Sequence, residues 1–255
     1  MKTWLYISHE YRLRVNSVSY WFITALILLL LLCCQRFLTS GAIGIFSDEI
    51  AVLGEEQASY GGMITVVAML LYMLVFFYGI QVMRSVSVLR NERVVELLLQ
   101  SLSPARILLG QIAAIALAAA TQVAIWIAAL APFTTFPVQH VLPLTVWLAA
   151  GYLFYSALFA LAGVHISQEN ASQALSLVIT LLSLFALYAA TFAIHVPQHW
   201  FSDICLYLPL TAPLIFGARA AEVPWYTEVL AWTITMTTAL LVIYIACRYF
   251  KRHCL

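Results

Sequence analysis

Glu92 and Glu96 stand four residues apart, with Arg93 between them and Arg90 just upstream. On a helix this spacing puts both carboxylates on one face, where two like charges cost a few tenths of a kcal/mol by roughly the magnitude of an i,i+4 pair. Arg93 and Arg90 offset that repulsion. Val94, Val95, Leu97, Leu98, Leu99 and Leu102 supply a broad apolar side, so the stretch is amphipathic. A charged face of this kind suits docking on a partner by charge complementarity; an amphipathic helix resting on lipid is the plainer use. Ser103-Pro104 ends the helix, because the residue before a proline avoids the helical region. Pro104 in turn suits the first turn of the helix that follows. The expected element, about residues 90–103, therefore lies along a membrane face and bends sharply into an apolar run.

The other reactive side chains build no catalytic or metal site. His165, Glu169 and Asn170 share one turn, and His195 and His199 flank Pro197, but neither group has metal-ligand spacing with further partners. Ser156 and Ser183 carry hydroxyls inside apolar runs, yet no histidine lies deep in a run to act as base. Asp48 and Asp203 both fall outside the apolar runs, which removes a paired-aspartate mechanism. The cysteines Cys33, Cys34, Cys205, Cys247 and Cys254 form no CxxC pair and read as small hydrophobes. There is no GxxxxGK[ST] phosphate loop, so ATP is not expected to bind this chain through a motif of its own.

The elements that carry these residues are membrane helices. The chain has 255 residues, 64% hydrophobic and 9% charged, with mean hydropathy +0.97. A soluble domain has about 25% charged residues. Continuous apolar runs reach the roughly 20 residues a helix needs to cross a bilayer. Their lack of alternation excludes a barrel. The fold expected is an all-α membrane protein forming one domain over 1–255. Six spans are expected at about 17–35, 62–83, 107–131, 142–166, 171–195 and 228–248. The segment from Trp4 to Val15 is too short to span and reads as an interfacial helix, with Trp4, Leu5, Ile7, Tyr11 and Val15 on one side and His9, Arg12 and Arg14 elsewhere. The start has no small-residue cleavage site after its apolar run and reads as a retained segment.

Lys2, Arg12, Arg14, Arg84, Arg90, Arg93, Arg106, Arg248, Lys251 and Arg252 fall on one side of these spans, with only Arg36 and Arg219 on the other. The positive side is expected to be cytoplasmic, with both termini there. Pro209 and Pro213 interrupt an apolar stretch, which predicts a broken, re-entrant pair of short helices before the last span, with Arg219 at its end. Apart from Glu228 and Arg248 at the two ends of the sixth, no charged residue lies inside a span, which argues against proton-coupled transport and charged-ring channels. Gln122 on the third span and Tyr152, Tyr155 and Ser156 on the fourth offer uncharged polar groups. They either line a pathway for an apolar or amphiphilic molecule or join helices, and helix packing is the favoured reading.

The stretch Glu92-Arg93-Val94-Val95-Glu96-Leu97-Leu98-Leu99, then Ser101-Leu102-Ser103-Pro104, then Gly110-Gln111, resembles the cytoplasmic coupling segment of type-2 ABC exporter permeases, particularly the sodium-export and multidrug-export branch. The resemblance continues through Gly151 to Gly163, through Ala171 and Gln173, and through Pro209, Thr211, Pro213, Arg219 and Pro224. It covers about residues 84–252. Two departures stand out. Gln111 occupies the position of the usual lysine, and the large extracellular domain of the sodium-export branch is missing between the first two spans. The resemblance implies a non-catalytic permease of an inner-membrane exporter that works as a homodimer or heterodimer. Each subunit would dock on a separate cytoplasmic ABC ATPase chain, which carries the ATP and Mg. Glu92, Arg93 and Glu96 would meet complementary charges on that ATPase while Leu97 and Leu98 pack into its groove, and Ser103 and Pro104 form the elbow. No nucleic acid is implied, and the remaining partner is membrane lipid. A haem-exporter-like permease of cytochrome c assembly and an intramembrane enzyme are the alternatives.

Overall fold

The computed structural model describes residues 2–39, 72–73, 75–89, 98–130, 138–165, 169–219 and 224–254. Among them the chain forms α1 (Lys2–Val15), α2 (Val18–Thr39), α3 (Val75–Leu89), α4 (Pro104–Leu130), α5 (Val138–His165), α6 (Glu169–His195), α7 (Trp200–Tyr207), α8 (Ala212–Arg219) and α9 (Trp225–Cys254). No strand occurs among the described residues. Pro104–Ala129, Pro143–His165, Leu177–His195 and Trp225–Arg252 are each long and apolar enough to cross a membrane. Val18–Leu29 of α2 and Val75–Leu89 are further apolar helical stretches. Residues 40–61, between the first two expected spans, and residues 62–71 of the second span lie outside the described residues.

Helix ends follow local chemistry. Ser17 caps α2: its side-chain and backbone oxygens accept from the Tyr20 N–H at 3.3 and 3.1 Å, satisfying a donor that an N-terminus otherwise leaves free. Pro224 precedes α9, and its carbonyl accepts from the N–H groups of Thr227 and Glu228 at 3.1 and 3.3 Å. Arg248, Lys251 and Arg252 occupy the last turns of α9, where cations complement the helix dipole.

One apolar cluster joins Leu89 at the end of α3, Leu102 and Ile107 at the start of α4, Val164 at the end of α5 and Phe250 at the end of α9, with Tyr6, Tyr11 and Val15 of α1 packed against it. These termini therefore meet at one end of the bundle. Arg12, Arg14, Arg84, Arg106 and Arg248 belong to the same elements, so the basic residues gather there.

α3 and α5 run side by side in the same direction. A Cβ on Gly79 of α3 would fall 2.2 Å from the Phe159 ring of α5, and one on Gly163 of α5 would fall 2.6 Å from the Met83 carbonyl of α3. Small residues at such positions let two backbones approach closely, which is how membrane helices gain packing energy without a hydrophobic driving force.

Toward the opposite end, α7 and α8 are two short helices joined through Leu208–Thr211. Thr211 and residues 212–217 are buried. The break frees backbone carbonyls, and side chains take them up. Tyr155 donates to the Leu210 carbonyl at 2.6 Å and Thr211 donates to the Cys205 carbonyl at 2.5 Å. Such satisfaction is what an irregular backbone needs in an apolar bundle. Phe216 of α8 stacks on Trp147 of α5 with centroids 4.7 Å apart. The Trp147 indole N–H donates to Glu228 of α9 at 2.8 Å, tying three elements at one point.

Candidate functional site

The elbow expected at Ser103-Pro104 is built from backbone hydrogen bonds. Leu98 and Leu99 are helical, and the Leu98 carbonyl accepts from the N–H groups of Ser101 and Leu102 at 3.0 and 2.8 Å. Ser103 then caps α4: its carbonyl accepts from Arg106 and Ile107 at 2.9 and 3.1 Å. Pro104 takes the first helical position, where its missing N–H costs nothing. Leu102 is buried in the cluster with Ile107 and Phe250. Gln100, Ser101 and Ser103 remain exposed. The segment therefore hands its direction to α4 through a pinned turn. Glu92, Arg93, Glu96 and Leu97 lie outside the described residues.

Just beyond the elbow, α1 lies directly against α4. A Cβ on Gly110 would come within 2.8 Å of the Tyr6 ring, so only glycine leaves room for that ring. Gln111 is buried to 1% exposure and each of its two amide ends is engaged. Its Nε2 donates to the Tyr6 hydroxyl at 2.6 Å. Its Oε1 accepts from Arg14 Nη2 at 2.8 Å and from Ser85 Oγ at 2.7 Å. Arg14 Nη2 also lies 2.8 Å from Ser85 Oγ and 3.6 Å from Glu10 Oε2 one turn back. Residues from α1, α3 and α4 thus share one polar junction.

Electrostatics fix the roles in this junction. Burial pulls the Arg14 pKa below its ordinary value, and the Glu10 carboxylate acts against that shift. Burial pushes the Tyr6 phenol up to about 12, with Glu10 adding to the rise while Gln111 and Arg14 oppose it. Tyr6 is therefore neutral throughout the physiological range. Its contribution to α1 docking is complete below the unfolded value of 10.0 and is lost only as pH rises through about 12.

The junction gives Gln111 its structural role. The positive charge at this point is carried by Arg14, which reaches the amide from α1. A lysine at 111 would set two cations against each other and leave Ser85 and Tyr6 without their amide partner. Gln111→Lys is expected to destabilise the docking of α1 by about 1–3 kcal/mol, read as faster proteolysis of α1 or a longer α1–α4 distance by spin-label measurement. Adding Arg14→Gln to that variant is expected to restore docking, because the charge is then moved and not doubled. Unchanged α1 docking in Gln111→Lys would contradict this account.

Arg14 and Tyr6 were hidden in the sequence. The helical face drawn there placed Arg14 away from the apolar side, whereas it turns inward to donate to buried Gln111 and half-buried Ser85. The i,i+4 spacing of Glu10 and Arg14 was the available signal.

The polar residues of the third and fourth spans are engaged within the bundle. Gln122 is buried and its Oε1 accepts from the Tyr78 hydroxyl of α3. Tyr152 donates to the Ile112 carbonyl of α4 at 2.8 Å, and Ser156 to the Leu153 carbonyl at 3.1 Å. With Tyr155 on Leu210, three of the four bond to a residue of another element. Pro209 lies in the α7–α8 connection, Pro213 sits within the first turn of α8 with its Cβ against Gly151 of α5, and Arg219 closes α8. No group of three or more His, Cys, Asp or Glu that could hold a metal occurs among the described residues.

Residues 35–248 match the family model described as ABC-2 family transporter protein. The chain belongs to the ABC-2 transporter family. It is a multi-pass transmembrane permease of the ABC transporter class, and permeases of this family generally work with an ATPase subunit. The permease is 27% identical over 190 residues to the uncharacterized protein MJ1024 of Methanocaldococcus jannaschii, covering 71% of this chain and 47% of that protein. It is 22% identical over 218 residues to the uncharacterized protein YhaP of Bacillus subtilis, covering 77% of this chain and 52% of that protein. The permease thus spans about half the length of the curated relatives it matches. The matched family residues include Ser85 and Gln111 but not α1, so the polar junction joins the family portion to a segment outside it.

Proposed function

We propose that this chain is the membrane subunit of an ATP-driven exporter of the inner membrane, moving an apolar or amphiphilic molecule out of the cytoplasm. The reading is carried by the family match over residues 35–248 and is supported by the hydrogen-bonded elbow at Ser103-Pro104, which joins the preceding turn to α4. The segment at about 90–103 serves as the coupling helix. Glu92, Arg93 and Glu96 engage opposite charges on an ABC ATPase that carries ATP and Mg, with Leu97 and Leu98 as its apolar contact. The sodium-export and multidrug-export branch is the nearest in pattern. A second permease subunit, identical or related, completes the transporter. Each subunit crosses the membrane six times, with α7 and α8 forming a re-entrant pair and Gln122, Tyr152, Tyr155 and Ser156 near the pathway.

The basic end of the bundle is the cytoplasmic one in this reading, by the excess of Lys and Arg there. In a cysteine-free background, a cysteine at Gln57 is expected to react with an impermeant reagent on intact cells. One at Gln100 is expected to react only after the membrane is opened. Labelling of Gln100 from outside with protection of Gln57 would contradict the orientation.

A further inference from the structure

A cavity of about 680 Å³ lies between α1, α2 and α3 at the basic end of the bundle. Its wall changes character from one part to another. Arg14, Arg84, Ser17, Ser19 and Gln81 are polar, while Leu13, Tyr20, Ile23 and Val88 are apolar. The charged lining comprises Arg14, Arg84 and Glu10, with His9, Tyr6 and Tyr20 as its other ionisable groups. Two arginines against one glutamate leave one net positive charge with His9 neutral. Glu10 is already spoken for by Arg14 at 3.6 Å. Arg84 is exposed toward the cavity side of α3. The Arg14 side chain keeps 19% of its surface accessible beside Glu10, so part of its guanidinium faces the cavity together with Arg84.

A monoanion with several acceptor oxygens matches that charge and those donors, and guanidinium groups are well suited to phosphate. The apolar half of the wall calls for a hydrocarbon attached to it. Leu13, Val18, Trp21 and Val88 are also exposed around this end, at 58, 85, 53 and 51%, so the cavity adjoins a surface that acyl chains would cover. We propose that this cavity is a binding site for one phospholipid of the adjoining leaflet, its phosphodiester held by Arg14 and Arg84 and its chain lying along Ile23 and Val88. The site makes the position of α1 depend on lipid, because the lipid phosphate and the Gln111 junction share Arg14.

The test uses the full-length permease purified in mild detergent, with phosphatidylglycerol as probe, and reads bound lipid by native mass spectrometry. One retained phosphatidylglycerol per chain is expected. Arg84→Gln is expected to lower its retention about tenfold or more, the size of losing a charge-assisted hydrogen bond. Arg84 is exposed, so the variant is expected to fold. Val88→Trp keeps both arginines and fills the apolar half, and is expected to lower retention to a similar degree. Arg106→Gln removes an exposed cation from the same end without touching the cavity, and is expected to leave retention unchanged. Equal losses in Arg84→Gln and Arg106→Gln would mean diffuse attraction to the surface and would overturn the site. So would full retention in both Arg84→Gln and Val88→Trp. Displacement of the lipid by inorganic phosphate at equal concentration would overturn the lipid assignment, since the acyl chain would then add nothing.

Discussion

Glu96→Lys permease is expected to reach the membrane at normal levels and to lose its ATPase. A charge reversal on an exposed helix face changes stability by only about 0.5 kcal/mol. At an interface selected for complementarity, placing like charges together costs on the order of several kcal/mol, which corresponds to roughly a hundredfold or more in affinity. Copurification of the ATPase, ATP-dependent export and membrane insertion of the variant are the three measurements. A helix that only rests on lipid gives a different pattern: the ATPase is unaffected, or the segment adheres more strongly to an anionic leaflet. Normal copurification and normal export in a well-inserted Glu96→Lys protein would return residues 90–103 to the status of a surface loop.

Gly163→Val is expected to give the largest loss of stability within the bundle. A Cβ at 163 would stand 2.6 Å from the Met83 carbonyl oxygen and 3.1 Å from Val86 Cβ. The first of these neighbours is backbone, so relief requires moving α3 as a whole. Overpacking of this kind costs about 1–3 kcal/mol when neighbours can shift and more when they cannot. The variant is expected to unfold at a lower temperature in detergent and to accumulate poorly, with Gly163→Ala intermediate. An unchanged unfolding temperature for Gly163→Val would mean that α3 and α5 do not pack as described.

The spans were legible because lipid imposes a simple rule. Continuous apolar sequence has to close its backbone hydrogen bonds within one helix, and the runs behind α4, α5, α6 and α9 leave no alternative. The break at Leu208–Thr211 was legible from Pro209 and Pro213, since proline removes a donor and cannot continue a helix. Helix limits were less so. α9 starts at Trp225, directly after Pro224, and continues to Cys254 through a charged end that hydropathy alone cuts short. α5 starts at Val138, about one turn before the expected start at 142, and carries Pro143 inside it. The polar junction was legible only in the i,i+4 spacing of Glu10 and Arg14. Gln111 meets Tyr6 and Arg14 across about a hundred residues of sequence, and no local pattern around position 14 says that its partner is an amide from another helix. The resemblance to type-2 exporter permeases singled out Gln111, and the structure shows its amide engaged by Arg14, Ser85 and Tyr6.

The reading stands or falls on whether the exposed turn before α4 touches an ATPase. A photo-crosslinking residue at Gln100, which is exposed beside the elbow, is expected to capture an ABC-type ATPase subunit identified by mass spectrometry in native membranes. The same residue at Leu177, 63% exposed on α6, is expected to capture lipid but not the ATPase. Failure of Gln100 to capture any ATPase, or ATP hydrolysis by the purified chain alone, would contradict the account.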